Sequence, residues 1–191
     1  MRPGIACVLD GLRGETNRRQ IELSEWQDAF QVAEQEGILP FFAATLRQCG
    51  ATLPNAILDD LARAEQEAAR TSFWWTSELR GILQAFAAAA ILVIPLKGPM
   101  LAERIYGGIN LRGSRDLDLL VSPPDTGSAS SLLEKLGFAT LSRPDDYHYS
   151  WHRGTTLVEL HFYVGNPIDF NFDVAGAWRR AKPRDFLGQA V

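Results

Sequence analysis

Cysteine is scarce in this chain of 191 residues: only Cys7 and Cys49 occur, and they stand far apart. Their spacing fits no metal-binding motif. The first residues lead into no apolar core of the kind that a secretory signal requires. Because unpaired cysteines are typical of a reducing compartment, we expect a soluble, cytoplasmic protein.

Long apolar runs and excess positive charge are also missing. The run from residue 85 to residue 94 is too short to cross a bilayer, and Pro95 and Lys97 close it. The formal net charge is -4, so no overall basic field attracts nucleic acid, although a local basic patch stays open. We therefore expect neither a membrane nor a nucleic acid among the partners of this protein.

The composition, with 46% hydrophobic and 22% charged residues, suits one globular domain, alone or with a helical subdomain. Residues 1–90 are rich in amino acids that favour helices, and we expect them to form a bundle packed on the remaining core. Residues 91–191 predict an α+β fold, with a mixed sheet and flanking helices. The last stretch, residues 178–191, has no capping or tail pattern, which is compatible with truncation at the C-terminus.

Three helices are predicted in the first part. Ser24 is a candidate N-cap, and Gln27 completes the pattern of a capping box, so a helix is expected over residues 24–36. Residues 38–48 predict a second helix. A third helical segment begins at Pro54 and continues to the end of this part, either unbroken or with a break near Thr71 or Gly81.

The second part predicts strands that alternate with helices. The expected strands cover residues 91–96, 116–121, 138–141, 147–153 and 155–164. The expected helices cover residues 99–106 and 128–136.

Two carboxylates two residues apart, Asp116 and Asp118, are the most informative feature of the chain. Apolar residues 119–121 follow them at once, which indicates a buried strand, and alternate side chains of a strand share a face. Neighbouring like charges repel unless a positive group lies between them, and a hard divalent cation such as Mg²⁺ prefers oxygen ligands. Two solvated residues on an edge strand are the alternative.

A third carboxylate, Glu159, lies in the apolar strand predicted over residues 155–164. A lone glutamate in such a strand is costly to bury unless it is paired or bound to a metal. We expect Asp116, Asp118 and Glu159 to lie on adjacent strands, on one face of the sheet, open to solvent. Strand alternation puts His161 on the face of Glu159, beside or beneath the site, where we interpret it as a structural histidine.

Four segments together resemble the nucleotidyltransferase superfamily that includes DNA polymerase beta and the antibiotic nucleotidyltransferases. They are residues 96–98 (Leu-Lys-Gly), Arg112, residues 116–121 and residues 159–161 (Glu-Leu-His). The order of these motifs is most similar to that of a bacterial family of nucleotidyltransferases with an N-terminal helical region. The resemblance covers roughly residues 20 to 180.

The resemblance implies an enzyme that moves a nucleoside monophosphate from a nucleoside triphosphate, such as ATP, to a hydroxyl group. The acceptor would be an unknown small molecule or protein. The catalytic residues implied are Asp116, Asp118 and Glu159, which would also bind the metal, Mg²⁺ or Mn²⁺.

The resemblance also implies residues that bind the nucleotide. Lys97 would neutralise triphosphate charge, and Gly98 would let the backbone approach a phosphate closely. Ser114 would donate a hydrogen bond to a phosphate oxygen, and Arg112 or Arg115 would pair with one. Lys97 is equally compatible with a surface cation beside a helix.

A second class of function stays open. Pro99 follows Gly98 and has no backbone N–H to offer a phosphate, which favours a binding module without turnover. Such a catalytically weak or inactive nucleotide- or metal-binding protein would act through a protein partner, as a regulator or as a component of a toxin–antitoxin-like system.

Overall fold

The computed structural model describes residues 3–16, 20–141, 147–169 and 171–190. The outer bounds of the two expected domains, residues 1 and 191, lie outside these ranges. The helices are α1 (Pro3–Leu12), α2 (Leu23–Gln35), α3 (Leu39–Gln48), α4 (Asn55–Ala88), α5 (Pro99–Tyr106), α6 (Thr126–Lys135) and α7 (Val174–Arg180). The strands are β1 (Val93–Pro95), β2 (Leu117–Val121), β3 (Ala139–Thr140), β4 (His148–Arg153), β5 (Thr156–His161), β6 (Asp185–Phe186) and β7 (Gln189–Ala190).

The main sheet formed by the described residues has five strands in the order β1-β2-β5-β4-β3. Strand β2 runs parallel to β5, and the other neighbouring pairs are antiparallel. A mixed sheet with helices before, between and after its strands confirms the predicted α+β fold. The parallel pair at the centre matters most for function, because it carries the predicted acidic residues.

Most predicted helices are present, with shifted ends. Helix α5 has the predicted bounds, and α4 continues without a break for 34 residues. The capping box predicted at Ser24 is wrong. Helix α2 begins at Leu23, and the Glu25 side chain accepts a hydrogen bond of 3.2 Å from the backbone N–H of Glu22. Helix α1 was not predicted at all.

The chain divides into two compact units. One contains residues 1–73 and 102–113, and the other contains residues 74–101 and 114–191. The domain boundary expected near residue 90 stays a prediction, as does the packing of the helical region on the core.

The first unit has a core built from helices. Helix α1 packs on α2 and α3, and the rings of Phe30 and Phe42 meet edge to face with centroids 5.9 Å apart. The buried side chains of this core are Cys7, Val8, Trp26, Ala29, Phe30, Ala33, Phe42, Ala43, Leu46, Ile57 and Leu61. The ion pair of Arg47 and Glu65 joins α3 to α4 through a hydrogen bond of 2.7 Å.

The second unit has a core built around the sheet. Every residue of β2 is buried, and α4 contributes an apolar stripe at helical spacing that comprises Trp75, Leu79, Ile82, Leu83 and Phe86. Arg153 on β4 links three elements, because its guanidinium donates to Glu78 of α4 at 2.9 Å and to the Leu136 carbonyl after α6 at 2.7 Å. The guanidinium also lies over the Phe138 ring. Arg153 thus connects β4 of this sheet to α4 and to the segment that follows α6.

Within the described residues, no helix combines the length and the apolar character that crossing a bilayer requires. Helix α4 is long enough, but charged residues occur along its length. The cytoplasmic location stays a prediction.

Helix α1 approaches α3 so closely that a glycine is required at the contact. A Cβ atom on Gly11 would stand 2.3 Å from Cε2 of Phe42, whose side chain is fully buried. We expect Gly11→Ala to lower the free energy of unfolding by about 1–3 kcal/mol, because the buried ring has little room to move. Urea denaturation followed by circular dichroism measures this change.

Gly81→Ala is the matched control, since Gly81 is also in a helix. Among the described residues, nothing lies within 4 Å of a Cβ atom built at Gly81. We expect this control to raise the free energy of unfolding by about 0.5–1 kcal/mol, because alanine favours a helix more than glycine does. Equal effects of the two substitutions would contradict the close packing of α1 and α3.

Candidate active site

The parallel pairing of β2 and β5 brings the predicted acidic residues together. Asp118 lies opposite Glu159, and Leu120 lies opposite His161. Residues paired in this way share a face of the sheet, so Asp118, Glu159 and His161 face the same side. On the other edge of β5, the antiparallel strand β4 places His148 opposite His161. Of the three carboxylates expected on adjacent strands and on one face, Asp118 and Glu159 lie in that arrangement, whereas Asp116 precedes β2.

Asp118 is buried, and two donors bond to one of its oxygens. Its Oδ1 accepts a hydrogen bond of 2.9 Å from Lys97 Nζ and one of 3.1 Å from His161 Nε2. The Asp118 side chain is 0% exposed, so the prediction that this carboxylate is open to solvent is wrong. The physical reason is that a buried carboxylate is tolerated when charged or polar donors pair with it. Among the described residues, no donor reaches the other oxygen, Oδ2.

Lys97 is held beside Asp118 by the strand that precedes it. The backbone N–H of Leu96 donates to the carbonyl oxygen of Asp118 at 2.9 Å, which extends the pairing of β1 and β2 by one residue. The next residue, Gly98, has a φ of +76°, a left-handed conformation that favours glycine before Pro99 opens α5. The Lys97 side chain is 49% exposed, so its ammonium lies at the solvent side of the buried carboxylate.

The charges of the site shift two pKa values. Burial alone would raise the pKa of Asp118, but the hydrogen bonds from His161 and Lys97 and the positive charge of Lys97 outweigh it, so this pKa is lowered. The pKa of Lys97 is raised, first of all by its hydrogen bond to Asp118, which outweighs the burial of the amine. The negative charges of Asp116 and Glu159 also raise the pKa of Lys97. The ammonium therefore lies in the combined field of all three predicted carboxylates.

A divalent cation fits this site. Among the described residues, ligand atoms of Asp118, Glu159 and His161 all lie within 4.8 Å of one another. The His161 Nε2 is 3.3 Å from Glu159 Oε2, and the Glu159 side chain is 25% exposed. The buried Asp118 Oδ2, which no described donor reaches, is a ligand oxygen in need of a positive partner. Asp116 precedes β2, is half-buried and is not part of this group.

The structure brings only some of the predicted nucleotide-binding residues to this place. Ser114 lies beside Gly98, with its Oγ 3.8 Å from the position of a Cβ atom built there. Arg115 is exposed and directly precedes Asp116. Arg112 belongs to the first unit, and its role stays a prediction.

His161 lies beside the predicted site, and it is hydrogen-bonded there, as we expected of a structural histidine. Its imidazole is bonded to the central carboxylate and is therefore part of the site itself. Strand alternation gave the correct face, but the partner depends on the register between β2 and β5, which no local pattern specifies.

The mixed sheet with acidic side chains on neighbouring strands agrees with the nucleotidyltransferase class that the motifs resemble. A family described as "Uncharacterised nucleotidyltransferase" matches residues 22–191. The chain therefore belongs to this family. No curated protein matches the sequence.

Two solved structures resemble part of the chain. They are a crystal structure of ANT(2'')-Ia in complex with adenylyl-2''-tobramycin and a solution structure of the antibiotic-resistance factor ANT(2'')-Ia. In both comparisons the TM-score is 0.40, the sequence identity is 20%, and the alignment covers 45% of this chain. It covers 48% of the chain in the crystal structure and 45% of the chain in the solution structure. The matched segments thus span less than half of each protein.

The hydrogen bonds and ion pair of Asp118 predict a free energy of unfolding that depends on pH. We expect Asp118→Asn to lower the free energy of unfolding by about 1–3 kcal/mol at pH 7, because the acceptor of one buried and one part-buried hydrogen bond loses its negative charge. Since the folded pKa is lowered, the carboxylate stabilises the fold above about pH 4, the ordinary pKa of an unfolded aspartate. This contribution is lost as the pH falls through the lowered pKa, so wild type and variant converge in acid. Urea denaturation over a series of pH values measures the difference.

Asp59→Asn serves as the control, because Asp59 is exposed on α4. We expect it to change the free energy of unfolding by less than about 0.5 kcal/mol at every pH. A wild type and an Asp118→Asn variant of equal stability at pH 7 would show that the buried pairing contributes nothing.

Proposed function

We propose that this protein transfers a nucleoside monophosphate from a nucleoside triphosphate to a hydroxyl group of an unknown small molecule or protein. The observation that carries the proposal is the parallel register that sets Asp118 opposite Glu159, with Asp118 Oδ2 buried and reached by no described donor. Two carboxylates on one sheet face, with one oxygen left for a cation, support phosphate chemistry that needs charge neutralised.

Asp116, Asp118 and Glu159 would hold Mg²⁺ or Mn²⁺. The bound cation would supply positive charge to the attacking and leaving oxygens of the displacement. Asp116 directly precedes β2, and its charge acts on Lys97, which supports a place beside the other two carboxylates.

The basic side chains, a glycine and a serine near the carboxylates would hold the triphosphate. The side chain of Lys97 is half-exposed, so its ammonium can contact a triphosphate that binds from solvent. It would neutralise part of the triphosphate charge as a point charge. Gly98 would let the backbone approach a phosphate, and the adjacent Ser114 would donate from its hydroxyl. Arg115 or Arg112 would pair with a phosphate oxygen.

Glu159 would act on the attacking hydroxyl. The hydroxyl oxygen forms a bond to the α-phosphorus, the bond from that phosphorus to the bridging oxygen of the β-phosphate breaks, and pyrophosphate leaves with the electron pair. The hydroxyl proton passes to the Glu159 carboxylate, which is partly exposed and so within reach of an acceptor from solvent.

The position of a radioactive label tests this reaction. With a triphosphate labelled at the α-phosphate, we expect the label to enter an acceptor from a metabolite or protein extract. With a γ-label, we expect radioactive pyrophosphate. Transfer should need Mg²⁺ or Mn²⁺ and should fall about 100-fold or more in Glu159→Gln, because metal binding and proton removal both weaken.

Glu134→Gln is the control for this assay, because Glu134 is exposed on α6, and it should react like the wild type. Entry of the γ-label into the acceptor would mean phosphoryl transfer and would overturn the proposal. Metal-dependent triphosphate binding without transfer of either label would support the alternative, a binding module that acts through a protein partner.

The ion pair of Lys97 with Asp118 implies that the ammonium and a metal ion compete for the negative charge of this carboxylate. In Lys97→Met, we expect Mn²⁺ in the absence of nucleotide to bind about five-fold more tightly, because no ammonium occupies Asp118. Binding of the triphosphate with metal should weaken by a similar factor, because one positive charge is missing. Isothermal titration calorimetry measures both affinities.

Lys135→Met, an exposed substitution at the end of α6, should leave both affinities unchanged. Mn²⁺ binding that is unchanged or weaker in Lys97→Met would refute the competition.

A further inference from the structure

The two oxygens of Asp118 are bonded unequally. Both donors, Lys97 Nζ and His161 Nε2, bond to Oδ1, at 2.9 and 3.1 Å. The other oxygen, Oδ2, is equally buried, and no described donor reaches it. A carboxylate that accepts both its hydrogen bonds on one oxygen keeps the second oxygen aimed in a defined direction.

The imidazole of His161 shows the same asymmetry between its two nitrogens. Nε2 lies 3.1 Å from Asp118 Oδ1 and 3.3 Å from Glu159 Oε2, whereas no described group bonds to the buried Nδ1. A proton on Nδ1 would leave a buried N–H without a described acceptor and would turn the bare lone pair of Nε2 toward two carboxylate oxygens. The proton therefore belongs on Nε2, where both carboxylates attract it.

The ring of His161 is also fixed in orientation. It stacks on the ring of His148, its partner residue on β4, with centroids 5.2 Å apart and planes 26° apart. Tyr147 lies against His148 in turn, with centroids 4.4 Å apart. Strand register and ring stacking thus determine where Nε2 points.

We propose that His161 is a positioning residue that holds Asp118 and Glu159 in place for a cation, and is not itself a ligand of that cation. Its Nε2–H occupies Asp118 Oδ1 and leaves Oδ2 for the metal, and the same N–H lies between the two carboxylates and reduces their repulsion. This inference rests on the proposed function for its purpose, but its test needs neither nucleotide nor transfer.

The tautomer of His161 is the first measurement. The chain has three histidines, so nitrogen-15 NMR spectra that correlate ring carbons with ring nitrogens give few signals, and His161→Gln assigns the one from His161. We expect a protonated Nε2. A bare Nε2 with a protonated Nδ1 overturns the proposal.

Metal binding by two amide variants is the second measurement. The amide nitrogen of His161→Gln reaches about as far as Nε2, and that of His161→Asn is one methylene shorter, so both are polar but only the first restores the donor. We expect Mn²⁺ to bind His161→Gln within about three-fold of the wild type, and His161→Asn about 10–100-fold more weakly. Thermal unfolding of both variants confirms that the comparison is made on folded protein.

Pulsed electron paramagnetic resonance of bound Mn²⁺ separates positioning from ligation. We expect no coupling to an imidazole nitrogen in the wild type, because Nε2 carries a proton. Nitrogen coupling makes His161 a ligand and overturns the proposal. So do equal affinities of the two variants, or a wild type that binds no Mn²⁺. A wild type with the expected pattern that transfers no nucleotide would instead reject the proposed function and leave the role of His161 intact.

Discussion

The burial of the negative charge of Asp118 is the constraint on which the site depends. A fully buried carboxylate is expensive unless donors pair with it, and here an ammonium and an imidazole do so. Both donors arrive on segments hydrogen-bonded to β2 or to its neighbour, so the sheet and the charge compensation require each other. Removing either Lys97 or His161 leaves a buried charge with a single partner.

Core packing determines where the carboxylates of β2 and β5 lie. On β2 and β5 the side chains facing away from the site include Leu117, Leu119, Val158 and Leu160, all buried. A slip of one residue between the two strands would expose this apolar face and turn Glu159 away from Asp118. The hydrophobic effect therefore sets the geometry of the acidic centre, with Arg153 linking β4 to α4 and to the carbonyl that follows α6.

Features that depend on local pattern could be predicted from the sequence, and features that depend on distant pairing could not. The bounds of α5 and the strand that carries Asp118 follow from glycine, proline and apolar runs. The capping box predicted from Ser24 and Gln27 failed because the N-cap of α2 is Glu22, two residues before Ser24, with Glu25 in the role expected of Gln27. The contact of His161 with Asp118 needs a register between strands some 40 residues apart. The roles of the other predicted nucleotide-binding residues stay predictions for the same reason.

The separations along the chain bear on the order in which the site assembles. Lys97 and Asp118 are 21 residues apart and meet through the antiparallel pairing of β1 with β2, whereas Asp118 and His161 are 43 residues apart. Shorter loops close at a lower cost in entropy, so we expect the ammonium to reach the carboxylate before β5 docks. When Glu159 arrives on β5, Asp118 then already has a counter-charge. Lys97 would thus neutralise Asp118 during folding, before the second acidic strand is added to the sheet.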